Sequence, residues 1–143
     1  MATATEATTA VHIESPILRA MVARHGIAVL DQTNLDDFLG QNPMAVLFFA
    51  EDPKRYPESA DVAMVLPELV RAIPELTAGL VGEQDQLALQ QRYPFTTWPT
   101  LAFFKEGNYR GAISHIQNWQ DYLEQINELY SDDTLPTIPV VNL

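Results

Sequence analysis

No cysteine occurs anywhere in the 143 residues. Disulfide exchange, thiolate catalysis and cysteine-type zinc binding all require that sulfur, so each is excluded. Positive charge is scarce too: eight Lys and Arg stand against 19 Asp and Glu, for a net charge of −11. Arg110 is the last basic residue, and Asp121, Glu124, Glu128, Asp132 and Asp133 follow it with nothing to offset them. Such a surface repels nucleic acid and anionic membrane and favours a cationic partner, although the same excess also serves plain solubility. No apolar run approaches the roughly 18 residues of a membrane span. Met1 to Ala10 has neither a basic residue nor an apolar core, so it reads as the lead-in to a cytoplasmic protein and not as a secretory signal.

Chemistry-bearing patterns are missing as well. His12, His25 and His115 are far apart, with no metal-ligand spacing. There is no Ser-His-Asp pattern, glycine-rich phosphate loop or paired catalytic carboxylate. The expectation is a protein that is not an enzyme and carries no cofactor or metal.

What the chain does have is the material of one α/β domain. Ser15-Pro16 and Gly26 bracket a helix over Ser15 to His25, and Ile27 to Leu30 reads as a short strand. Asn34 is expected to cap a brief helix ended by Gly40. Met44 to Ala50, a continuous apolar run, suits a strand covered on both faces. A polar loop with two prolines, Glu51 to Glu58, leads to a helix that Ser59 should cap. Val62, Val65, Leu66, Leu69, Val70 and Ile73 form its apolar stripe, and Pro67 inside the stripe should kink it. Leu76 to Val81 is a further strand, and Gln84 to Tyr93 a weaker helix. The last helix opens at Asn118, with Trp119, Tyr122, Leu123, Ile126 and Leu129 at helical spacing and the acids opposite.

One stretch organises the rest, Thr97-Trp98-Pro99-Thr100-Leu101-Ala102-Phe103-Phe104-Lys105-Glu106-Gly107. Proline cannot donate a ladder hydrogen bond, so Pro99 belongs at the first position of a strand, with Trp98-Pro99 a candidate cis bond. Thr100 to Phe104 then forms one strand of a hairpin, Glu106-Gly107-Asn108 its turn, and Tyr109 to Ile113 the return, with a bulge at Gly111. Proline, strand, glycine turn, strand and amphipathic helix resemble the second half of the thioredoxin fold. That fold implies an α/β/α three-layer sandwich with a mixed central sheet. The place where thioredoxins carry their Cys-x-x-Cys pair is filled here by the longer, sulfur-free "EDPKRYPESAD". The resemblance implies that a peptide-binding surface beside the cis-proline outlives the redox chemistry.

Two readings of the loop stay open. Glu51, Asp52, Glu58 and Asp61 lie at the C-terminal end of a central strand, where open α/β sheets bind ligands, and could meet a partner's arginines. Alternatively Asp52, Glu58 and Asp61 cap turns and pair with Lys54 and Arg55. Trp98 is either a packed core residue or an anchor beside a peptide groove.

"DPKRYPESADVAMVLPEL" at 52–69, "FTTWPTLAFF" at 95–104 and "GNYRGAI" at 107–113 together resemble the HyaE/HupG/HoxO family. These are cysteine-free, thioredoxin-like accessory proteins of NiFe uptake hydrogenases. The resemblance spans roughly Ile17 to Tyr130. It divides the chain into a disordered lead-in over 1–14, a thioredoxin-like domain over 15–130 and an extended tail over 131–143. Membership implies a maturation chaperone that holds the hydrogenase small subunit precursor and its twin-arginine signal peptide. Other hydrogenase accessory proteins are further partners to expect; nucleic acid and membrane insertion are not. The motif residues carried over are Asp52, Pro53, Arg55, Pro57, Glu58, Trp98 and Pro99, and Glu51 and Asp61 join them as a candidate partner-binding face. Alanine at both Asp52 and Glu58 is expected to weaken peptide binding with little loss of melting temperature. The competing expectation is an assembly adaptor that binds a folded hydrogenase subunit through the acidic last helix.

Overall fold

A computed structural model describes residues 13–131. The lead-in and tail expected at the two ends lie outside the described residues, apart from Ile13, Glu14 and Ser131. Ile13 is buried, and its carbonyl accepts a hydrogen bond from Arg19 Nη1 at 2.8 Å.

The elements run α1 (Pro16–His25), β1 (Ala28–Leu30), α2 (Leu35–Gln41), β2 (Met44–Phe49), α3 (Glu58–Ala72), β3 (Thr77–Val81), α4 (Gln86–Gln90), β4 (Thr100–Lys105), β5 (Asn108–Ser114) and α5 (Trp119–Tyr130), with a 3-10 turn at Glu83–Asp85 before α4. The five strands form one sheet in the order β1-β3-β2-β4-β5. β3 is parallel to both β1 and β2, while β4 is antiparallel to β2 and β5. This is the mixed sheet expected from the sequence.

Period-2 alternation along β2 assigns side chains to two cores. Val46, Phe48 and Ala50 face a layer made by α1, α3 and α5, through Leu18, Leu66, Leu69, Tyr122 and Ile126. Ala45, Leu47 and Phe49 face the thinner layer of α2 and α4, through Leu35, Leu39 and Leu89. Every residue of β2 after Met44 is buried, which explains its unbroken apolar run. Tyr130, at the end of α5, closes the larger core from below: its hydroxyl donates to the Phe104 carbonyl at 2.8 Å. Burial of that ring pushes the Tyr130 phenol well above its ordinary value.

Local signals account for most boundaries. Ser15 Oγ accepts from the Leu18 amide, and Gly26, in the left-handed region at φ 64°, ends α1. Asn118 Oδ1 accepts from the Asp121 amide and starts α5. The hairpin carries its bulge one residue before the expected Gly111: Phe103 pairs with Gly111 and Phe104 with Tyr109, so Arg110 is the extra residue.

Four further details differ from the sequence reading. Asn34 does not cap α2 with its side chain; Asn34 Oδ1 accepts from the Asp31 amide instead. The turn is held by Asp31, whose carboxylate accepts from the Thr33 hydroxyl and from the Thr33 and Asn34 amides. The Thr33 hydroxyl, above all, lowers the Asp31 pKa. Gly40 does not end α2, which runs on to Gln41. Ser59 does not cap α3: the helix starts at Glu58, and the Ser59 hydroxyl donates to the Ala50 carbonyl. Trp119, placed on the apolar stripe of α5, is 40% exposed at the first position of the helix, ahead of the buried Tyr122, Leu123 and Ile126.

Candidate functional site

The loop between β2 and α3 is closed at its neck by the Ser59–Ala50 bond. Inside it, the Arg55 and Tyr56 amides both donate to the Asp52 carbonyl at 2.9 Å, and the Lys54 amide donates to Asp52 Oδ1 at 3.0 Å. Asp52 is therefore the turn former that its position suggests. Glu51 has a positive φ of 54°, a strained conformation for a residue with a side chain. Gln86, buried on α4, holds it there: Gln86 Oε1 accepts from the Glu51 amide at 2.8 Å while Nε2 donates to the Val81 carbonyl at 3.4 Å.

On one side the loop leans on the proline stretch. Trp98-Pro99 is cis, as expected. Pro99 is buried, and its carbonyl accepts from the His115 amide at 2.8 Å. The Tyr56 ring packs against Trp98, with centroids 6.0 Å apart, and the Arg55 guanidinium lies 5.7 Å from the centroid of Tyr56. Trp98 is partly buried, and its Nε1 is shielded from solvent with no hydrogen-bond partner among the described residues.

On the other side the loop borders a cavity of about 400 Å³, whose lining includes Glu14, Ile17, Asp52, Pro53, Pro57 and Glu83. A smaller one, about 210 Å³, lies among Glu51, Asp52, Glu83 and Gln86. Burial raises the Glu83 pKa first, and repulsion from Glu14 adds to it, with a smaller contribution from Asp52.

The nine expected residues thus do not form one cluster. Trp98 and Pro99 lie on the proline side; Glu51, Asp52, Pro53 and Pro57 border the acidic cavities. Arg55 and Asp61 are exposed. Glu58 is half-buried and already engaged: its Oε1 accepts from the Ile116 amide at 2.8 Å and stands 3.4 Å from His115 Nδ1. Glu58 therefore holds α3 to the segment after β5, and its removal is not structurally silent. That separates it from Asp52 as a test of binding. The alternative pairing of the loop acids with Lys54 and Arg55 does not occur: among the described residues the ion pairs join Arg71 to Glu68 and Arg92 to Asp36, and Glu58 meets the His115 imidazole.

Four residues at the site carried no sequence signal: Glu14, Tyr56, Glu83 and Gln86. The parallel register of β2 and β3 pairs Leu47 with Gly79, and continuing it past the strand ends sets Glu83 beside Glu51. Among the described residues no group of three or more His, Asp or Glu is arranged to hold a metal ion, and no helix is long and apolar enough to cross a membrane.

The chain is 40% identical to the hydrogenase expression/formation protein HoxO of Azotobacter vinelandii over 129 residues, covering 89% of this chain and 87% of that one. It is also 40% identical to HupG, a protein of the same description from Bradyrhizobium diazoefficiens, over 113 residues and 76% of each chain. A crystal structure of a HupG hydrogenase expression/formation protein from Rhodopseudomonas palustris superposes with a TM-score of 0.54 at 36% identity, covering 76% of this chain and 99% of that one. A thioredoxin from Halobacterium salinarum matches the fold with a TM-score of 0.61 at 23% identity, over 74% of this chain and 90% of that one. The fold is thioredoxin-like. With the family described as hydrogenase-1 expression protein HyaE matching residues 17–122, the chain belongs to that family.

Proposed function

We propose that this protein is a hydrogenase maturation chaperone that binds the NiFe hydrogenase small subunit precursor through its twin-arginine signal peptide, in the cytoplasm and without redox or other catalysis. The observation that carries this reading is the Glu51–Pro57 loop. It stands where a thioredoxin has its thiols, and it presents the carboxylates of Glu51 and Asp52 with no cationic partner among the described residues. Guanidinium groups form short, charge-assisted hydrogen bonds with such carboxylates. The relatives, named as hydrogenase expression/formation proteins, supply the hydrogenase context.

A second reading, an adaptor that binds a folded hydrogenase subunit, is favoured by α5. Its exposed face carries Glu124 and Glu128, and the exposed Trp119 stands at its start.

Calorimetric titration separates the two. A hydrogenase small-subunit signal peptide is titrated at low and moderate salt, beside a peptide with both arginines replaced by glutamine. Binding that weakens with salt and disappears in the substituted peptide supports the chaperone. Binding to the folded subunit alone, with neither peptide bound, supports the adaptor.

A further inference from the structure

α1 and α3 lie side by side, and an open apolar groove runs between them. Its first part is the cavity of about 400 Å³ at the start of both helices. Its second part, about 340 Å³, takes its walls further along the same two helices, and Ile17 belongs to both parts. The residues facing the groove, Pro57 at the cap of α3 and Ala60, Ala63, Met64 and Pro67 within it, recur at helical spacing and so share one face. Small side chains and prolines make the floor. Met64, 72% exposed, and Ile17, 44% exposed, are the large apolar groups left uncovered along it. From Pro57 to Pro67 the helix rises about 15 Å, room for about five residues of extended chain.

The two ends of the groove differ in charge. At its mouth, among the described residues, stand Glu14, Asp52 and Glu83 against the ammonium of Lys54. The N-termini of α1 and α3 offset some of this negative charge. Burial first, and then the Glu14 and Asp52 carboxylates, raise the Glu83 pKa, while the Glu14 and Ser15 amides act against them. At the far end Arg24 and His25 line the groove, beside a Glu68 already engaged by Arg71. A cation is favoured at the mouth and disfavoured at the far end.

We propose that this groove receives a peptide segment with adjacent arginines followed by apolar residues, the guanidinium groups at the Glu14–Asp52–Glu83 mouth and the apolar side chains along Ile17 and Met64. The inference rests on the signal-peptide reading and gives it an address: the α1–α3 face, away from the proline side of the loop. Tyr56, Trp98 and Pro99 then support the loop without touching the ligand.

The test titrates the full chain with a synthetic peptide carrying two adjacent arginines and an apolar segment. The variants are Met64→Glu in the groove, Asp52→Asn with Glu83→Gln at the mouth, and Glu124→Gln on α5 as a control. Met64 is exposed, so its substitution leaves the core intact, and a melting curve of each variant confirms that it folds. The expected result is an affinity loss of about tenfold or more for Met64→Glu and for the mouth pair, with a shallower salt dependence in the mouth pair alone. Glu124→Gln should bind as the parent does. Parent-like binding by both groove variants overturns the groove assignment and leaves the signal-peptide reading standing. A parent protein that binds the folded subunit and no peptide overturns the signal-peptide reading, and the groove proposal with it. Sedimentation completes the test: a parent dimer that Met64→Glu turns into a monomer makes the groove a contact between copies, which also overturns the proposal.

Discussion

The Ile116 amide donates to Glu58 Oε1 across 58 positions of sequence, at 2.8 Å, with His115 Nδ1 3.4 Å from the same oxygen. The His115 amide in turn donates to the Pro99 carbonyl. One carboxylate therefore ties the start of α3 to the segment that braces the proline stretch. Glu58→Ala leaves the partly buried Ile116 amide without its acceptor, at a cost of about 1–2 kcal/mol. That corresponds to a melting temperature lower by about 3–6 °C. Glu58→Gln keeps an acceptor and should melt within about 1 °C of the parent. Thermal melts of the two variants check this, and an alanine variant as stable as the parent would remove the tie from the account.

Gln86 is the buried support of the loop. Gln86→Ala removes the acceptor for the Glu51 amide and the donor to the Val81 carbonyl, and leaves Glu51 in its left-handed conformation without support. The expected cost is about 2–3 kcal/mol. Amide exchange at Glu51 and Asp52 should accelerate more than at β2, which urea titration and hydrogen exchange together would read. Equal acceleration at both sites would mean that Gln86 supports the whole domain and not the loop.

Gly111 is required by its backbone. Its φ is 151°, and an added Cβ would collide with the Leu129 Cδ2 methyl on α5. Gly111→Ala should cost about 1–3 kcal/mol through backbone strain and displacement of Leu129. Adding Leu129→Ala removes the collision but not the strain. The double variant should therefore lose less than the sum of the two single losses in a double-mutant cycle. Strict additivity would show that the two residues do not meet.

Glu83 supplies a pH dependence. Its pKa is raised above the ordinary carboxylate value of 4.5, by burial and then by Glu14. A raised value means that the folded chain holds this proton more tightly than the unfolded chain. Its contribution favours folding below the unfolded pKa and is lost as pH rises through the folded one. At neutral pH ionised Glu83 is thus a net cost, and Glu83→Gln should melt higher than the parent. The advantage should shrink as pH falls through the raised folded value towards 4.5 and be gone below it, a trend that melts across a pH series would show. A constant difference at all pH values would assign the effect to packing.

Most of the fold was legible because each signal was local. Ser15-Pro16, Gly26, Asn118 and the continuous run of β2 mark element types without reference to neighbours, and Trp98-Pro99 carried the hairpin with it. The site was less legible because it is built by register and tertiary contact. Glu83 comes to Glu51 only through the pairing of β2 with β3, and Glu14 only through the packing of α1 on α3. Ser59 reads as a cap in any local window, yet its hydroxyl closes the loop neck. Glu58, an acid in a polar loop, looks available until Ile116 and His115 arrive from the far end of the chain.

The chain has two tryptophans, and they sit in opposite surroundings. Trp119 is exposed at the start of α5, while the Trp98 indole nitrogen is shielded from solvent, without a hydrogen-bond partner among the described residues, and its ring lies beside Tyr56. An indole without a hydrogen-bond partner in an apolar setting emits at shorter wavelength than one in water. The intrinsic fluorescence should therefore divide into a blue component that water-borne quenchers reach poorly and a red one that they reach readily. Because Tyr56 belongs to the loop and Trp98 to the strand stem, the blue component reports whether the loop is seated, with no added label and from the unmodified protein.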